Sequence, residues 1–188
     1  PALGKTLKQT EAREDDVYDT VETATAITSG LKYSAFKTIT DKNLQHTNLS
    51  TPRRIASGDE FFMNRVGVHI RQAIANTLTA EADVLLVAEN AAFTFKLGKR
   101  LVTEGPVIKY QSGYGVVGMT NRNNAGLATI GVASYAAAPQ LLVVQPITED
   151  DDLIADVTFE ANAWITGGNV QPTLAARAYI TVFLHGVI

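Results

Sequence analysis

The sequence predicts an all-β chain folded as two packed antiparallel sheets, and three observations predict it. From Leu31 onward, short apolar segments recur at intervals of about 8–15 residues, divided by Gly, Pro, Asn and Asp. Several of these segments alternate apolar with polar residues at a period of two, the pattern of a half-buried strand. Nowhere does strand alternate with helix as a parallel sheet requires.

At 188 residues the chain suits one well-buried domain. Hydrophobic side chains make up 46% and charged ones 19%, the balance of a globular protein rather than a disordered one. No run of about 18 apolar residues offers a membrane span. There is no cysteine, so disulfides and thiolate metal sites play no part. The opening PALGKTLKQT lacks the apolar region of a secretory signal and is expected to direct no secretion.

Residues 1–30 are polar, rich in Thr and acidic groups, and nearly empty of large apolar side chains before Ile27. They are expected to form an N-terminal arm, extended or disordered, with a single domain over 31–188. Residues 1–22 hold three basic against six acidic side chains and so account for the whole formal charge of −3. The neutral remainder offers no net positive field to a phosphate backbone, and strong direct nucleic-acid binding is not expected.

Along the domain, LKYSAFKTIT is the first expected strand. FFMNRVGVHIRQ comes next, with Phe62, Val66, Val68 and Ile70 on one face and Arg65, His69 and Arg71 on the other, allowing for Asn64 as a polar exception on the apolar face. Residues 79–91 are the one expected helix, from the spacing of Ala82, Leu85, Leu86 and Glu89, although VLLV also reads as a buried strand. FTFKLGKRLVTEG reads as a hairpin with Gly98 and Lys99 as a Gly-first, type II′ turn. PVIKYQ, LATIGVASYAAA, QLLVVQPI, LIADVTFEANAWIT and LAARAYITVFLHGVI are further expected strands. The last is apolar on both faces, Ala178, Ile180, Val182 and Leu184 against Tyr179, Thr181, Phe183 and His185, as in a central strand. About eight strands with one short helix result.

Each motif that could carry chemistry has a plainer explanation. Gly113–Gly118 reads GYGVVG, but it leads into a turn-rich loop, MTNRNNAG, with no helix to meet a pyrophosphate, and no cofactor is expected. His46, His69 and His185 share no metal-ligand spacing. No serine sits in a G-x-S-x-G elbow. Glu149, Asp150, Asp151 and Asp152 are consecutive, so they cannot all face one calcium ion, and a solvated loop is the expectation. Asn48-Leu49-Ser50 is an accidental sequon on this reading. Trp164, Phe159, Phe183 and Tyr114 are the aromatic residues a carbohydrate-binding sandwich would draw on, yet Phe159 and Trp164 would point to opposite faces of one strand. No catalytic, cofactor-binding or metal-binding residue emerges, and the chain is not expected to be an enzyme.

Taken together, the polar arm leading into LKYSAFKTIT, the IASGDEFFMNRVGVHIRQ segment, the helix before AFTFKLGKRLVTEGP, then ITEDDDLIADVTFEANAWI and AARAYITVFLHGVI resemble the single jelly-roll capsid proteins of tailless icosahedral bacteriophages, particularly those with an internal membrane. The resemblance implies an eight-stranded antiparallel jelly-roll sandwich and a structural virion role as a self-assembling capsid subunit. It implies other copies of the chain, other virion proteins and an underlying lipid membrane as partners, no small-molecule substrate, and assembly in the host cytoplasm into a capsid shell. The alternative reading is a carbohydrate-binding sandwich, such as a spike or accessory protein.

Overall fold

The computed structural model describes residues 14–27, 30–72, 84, 87–110, 139–159, 174 and 177–188. Within them run β1 (Glu14–Glu22), β2 (Lys32–Ala35), β3 (Glu60–Gln72), β4 (Ala91–Leu97), β5 (Arg100–Pro106), β6 (Gln140–Thr148), β7 (Leu153–Phe159) and β8 (Ala178–Val187). Two four-stranded sheets result, ordered β1-β8-β3-β6 and β2-β7-β4-β5, and all pairings are antiparallel. Every strand pairs with its mirror-image position in the chain: β1 with β8, β2 with β7, β3 with β6, β4 with β5. The chain is thus one long antiparallel ribbon, rolled so that successive rungs fall in alternate sheets.

Alternation along β4, β7 and β8 supplies much of the two inner faces. In β4, Ala91, Phe93, Phe95 and Leu97 are buried while Ala92, Thr94 and Lys96 are half-buried. Leu153, Ala155, Val157 and Phe159 of β7 continue that face, and Ile180, Val182 and Leu184 of β8 lie in the opposing sheet. Burying such side chains supplies about 1.5–3 kcal/mol each against exposure. β8 sits between β1 and β3, as its two apolar faces require. The β4–β5 turn is Gly98-Lys99, with positive φ at Gly98 and not at Lys99, the signature of type II′.

Four expectations are corrected. The boundary at residue 30 fails, because Glu14–Glu22 is the edge strand β1, paired residue for residue with β8, and Val17 and Asp19 are buried. Of the expected arm, residues 1–13 lie outside the described residues. LKYSAFKTIT yields only the four-residue β2, since Phe36 turns to φ +65 and ends the strand. PVIKYQ is not a strand: Pro106 closes β5 and Val107–Lys109 forms a 3-10 turn. In β3 the inward residues are Phe61 and Met63, then Val66 and Val68, because the register shifts between Met63 and Arg65 and reverses the alternation. Of the expected helix, Val84 and Val87–Asn90 are helical, while Ala91 already belongs to β4. LATIGVASYAAA lies outside the described residues.

Candidate assembly edge and polar cavity

The two sides of the sandwich differ in chemistry. On one side β1 and β2 meet, joined where the Phe36 N–H donates to Asp19 Oδ2 at 2.6 Å and the Ala24 N–H donates to the Tyr33 hydroxyl at 2.8 Å. The other side is bounded by the remaining edge strands, β5 and β6.

β1 turns three side chains toward matching residues of β8. Asp16 Oδ1 lies 2.7 Å from His185 Nδ1, Tyr18 packs on Phe183 with centroids 5.7 Å apart, and the Thr20 and Thr181 hydroxyls bond at 2.8 Å. Such cross-strand pairs are the unit of sheet stabilisation. The opposite face of β1 carries Val17, Asp19 and Val21, so Asp19 points inward and is fully buried. Lys42 reaches it with 2.7 and 2.8 Å contacts to both carboxylate oxygens. An inward-pointing charge discourages a further strand from adding to an edge. The segment after Lys42 also clamps β1: Asn48 donates to the Asp16 carbonyl at 2.6 Å and accepts from the Tyr18 N–H at 3.0 Å, and the Tyr18 hydroxyl donates to the Leu44 carbonyl.

The β6 edge is built the other way. Met63 pairs with Gln145 and Arg65 with Gln140, so Leu141–Val144 stand opposite the single residue Asn64. The excess backbone is pushed out of the ladder. Leu142 is fully exposed, Val143 is 66% and Val144 49% exposed, while Ile147 further along returns to the core. The Asn64 Oδ1 left at this mismatch is buried with no hydrogen-bond partner among the described residues. On the same side, Leu101 of β5 and Ile108 after it are about half exposed.

A cavity of about 450 Å³ opens at the β1–β2 side. Its walls come from β1, β2, Tyr179 of β8 and the loop through Thr38, Asp41, Lys42 and His46. Two residues of that loop region, Phe36 and Asp41, have positive φ. For a bulky residue such as Phe36 this is a strained conformation, held here by the buried Asp19 carboxylate. Lys32 Nζ meets Asp156 Oδ2 at 2.6 Å beside Ser34, whose hydroxyl donates to Asp156 Oδ1 at 2.6 Å.

The residues singled out in the sequence do not converge. His46 lies at this cavity, its ring 6.2 Å from Tyr179; His185 is buried against Asp16 and stacked on Phe183; His69 lies on β3. No group of three or more metal-ligating side chains occurs among the described residues. Phe159 is core, whereas Gly113–Gly118, Tyr114 and Trp164 lie outside the described residues. In the acidic loop, Glu149 accepts from the Gly58 N–H, Asp151 from the Thr148 N–H and hydroxyl, and Asp152 faces Arg53 at 3.5 Å.

The Ser57 hydrogen bond, reinforced by that of Gly58, holds the Glu149 carboxyl below its ordinary range. A lowered carboxyl pKa stabilises the fold at neutral pH, and that contribution is lost as the pH falls through it. The gap in melting temperature between wild type and Glu149→Gln, present at neutral pH, is therefore expected to close on acidification. Comparison with models of known protein families, with curated protein sequences and with solved structures finds no match.

Proposed function

We propose that the chain is a jelly-roll structural protein that assembles with copies of itself into a virion shell. The observation that carries this reading is the rolled ribbon, with β1-β8-β3-β6 facing β2-β7-β4-β5. Eight antiparallel strands wound as two Greek keys are the jelly-roll arrangement, which capsid proteins share with lectins and cupins. Because a fold does not assign a function, the choice among these rests on surface chemistry.

Self-association is supported by the contrast between the edges of one sheet. β1 is blunted by an inward charge and clamped by its neighbouring loop, whereas β6 presents Leu142, Val143 and Val144 outward. Three aliphatic side chains fall well short of the roughly 800 Å² per partner of a standard interface, so this contact alone makes a weak pair. Weak contacts suffice in a closed shell, where each further contact forms at high effective concentration. Other virion proteins and an underlying membrane are the further partners of this reading.

Leu142→Lys tests it. The variant is expected to keep its stability within about 0.5 kcal/mol, since the side chain touches little, and to shift sedimentation-velocity profiles toward monomer. Identical oligomers in the variant would remove β6 from the assembly contact. Truncation must respect β1: deleting residues 1–13 keeps that strand, whereas deleting 1–30 removes it and Asp19 with it.

A further inference from the structure

We propose that the cavity beside β1 and β2 is a binding site for a neutral polyhydroxylated ligand, a saccharide unit. Its volume of about 450 Å³ lies within the range of small-molecule sites. The chemistry of its walls selects the ligand class. Both ammonium groups there are already neutralised, Lys42 by buried Asp19 and Lys32 by Asp156. Glu22 is likewise engaged, 3.4 Å from Arg177. An anion such as phosphate therefore meets no uncommitted positive charge in these lysines, and it meets the Asp41 carboxylate.

The walls offer a ligand a mixture of donors and acceptors: the Thr38 and Tyr179 hydroxyls, the His46 imidazole and the Asp41 carboxylate. The Tyr33 hydroxyl, which accepts from the Ala24 N–H, still has its proton to donate. Aromatic carbon from Tyr33, Tyr179 and His46 completes the wall. Hydroxyl groups that both donate and accept, on a ring with apolar C–H faces, match this set; a further cation beside the wall, Arg71, lies over the Tyr179 ring at 4.7 Å.

The site is also preorganised. Asp19 fixes both Lys42 of the wall and the N–H of Phe36 buried behind it, and the Phe36 carbonyl accepts from the Arg53 N–H at 2.7 Å, so the loop is held although Phe36 and, on the rim, Asp41 sit at positive φ. Strain of this kind persists where the surroundings over-determine it, and it concentrates at ligand sites. The cavity is lined by the β1 end of its sheet and β6 is the other end, so sugar binding and self-assembly stand or fall separately.

Saturation-transfer NMR on the full chain, which works for monomer and large assembly alike, tests it with glucose, galactose and N-acetylglucosamine up to roughly 50 mM, enough to populate a millimolar site. Transfer to at least one sugar is expected. Asp41→Asn keeps a residue type that tolerates positive φ, and it should leave the melting temperature unchanged while weakening that sugar about tenfold. Tyr179→Leu should weaken it as well. Absence of transfer to all three sugars, wild-type affinity retained in both variants, or displacement of the sugar by inorganic phosphate at lower concentration would each overturn the proposal.

Discussion

Gly186→Ala is expected to cost about 3 kcal/mol or more, a large share of the stability of an ordinary domain. Gly186 lies in β8 between Asp15 of β1 and Met63 of β3. A Cβ there would stand 2.3 Å from the Phe62 carbonyl oxygen and 2.8 Å and 2.9 Å from two carbons of the Phe61 ring. The carbonyl belongs to the neighbouring strand's backbone and the ring is fully buried, so neither can yield without opening the sheet. Urea unfolding measures the loss. Gly58→Ala is the control: nothing lies within 4 Å of its Cβ, and only its φ of +89° is strained. A Gly186→Ala variant as stable as wild type would mean that β8 does not pack on Phe61 as described.

Asp19→Ala is the second large effect, expected to cost about 3 kcal/mol. The substitution leaves the Lys42 ammonium, 17% exposed, without its counter-charge, and it orphans the Phe36 N–H. Breaking a buried pair from one side costs about 3–5 kcal/mol, and the partial exposure of Lys42 places this case at the lower end. Asp19→Asn should fall between, because an amide oxygen still accepts from Phe36 while the charge is gone. Equal losses for Ala and Asn in chemical denaturation would put the whole effect in the ion pair; a negligible loss for both would contradict the inward placement of Asp19.

These two residues also mark the limit of legibility in the sequence. β4, β7 and β8 were readable because their alternation carries its own explanation: Phe93 and Phe95, or Ile180 and Val182, sit two apart with nothing to interrupt the phase. β1 was not, because Asp15, Asp16 and Asp19 resemble a solvated segment until their partners are known. His185 is 169 residues from Asp16, and Lys42 is 23 from Asp19. The strand formers Val17, Tyr18, Thr20 and Val21 were the signal available.

β3 is legible as a strand but with its first half on the wrong face, since the one mark of the register shift, the polar Asn64 in the apolar phase, reads equally as a single exception in a regular run. The consecutive carboxylates of the acidic loop lack EF-hand spacing, and three of them go to Gly58, Thr148 and Arg53. The cavity was out of reach. Its walls are drawn from β1, β2, the loop around Asp41 and Tyr179, and only the β1–β8 pairing brings residues so far apart in the chain together.

The central claim, that this sandwich assembles with itself, is most directly tested by light scattering coupled to size exclusion over a wide range of protein concentration and salt. The account predicts discrete capsomer-sized oligomers or megadalton particles whose population grows with concentration. A strict monomer at the highest concentration, under every salt condition, would contradict it.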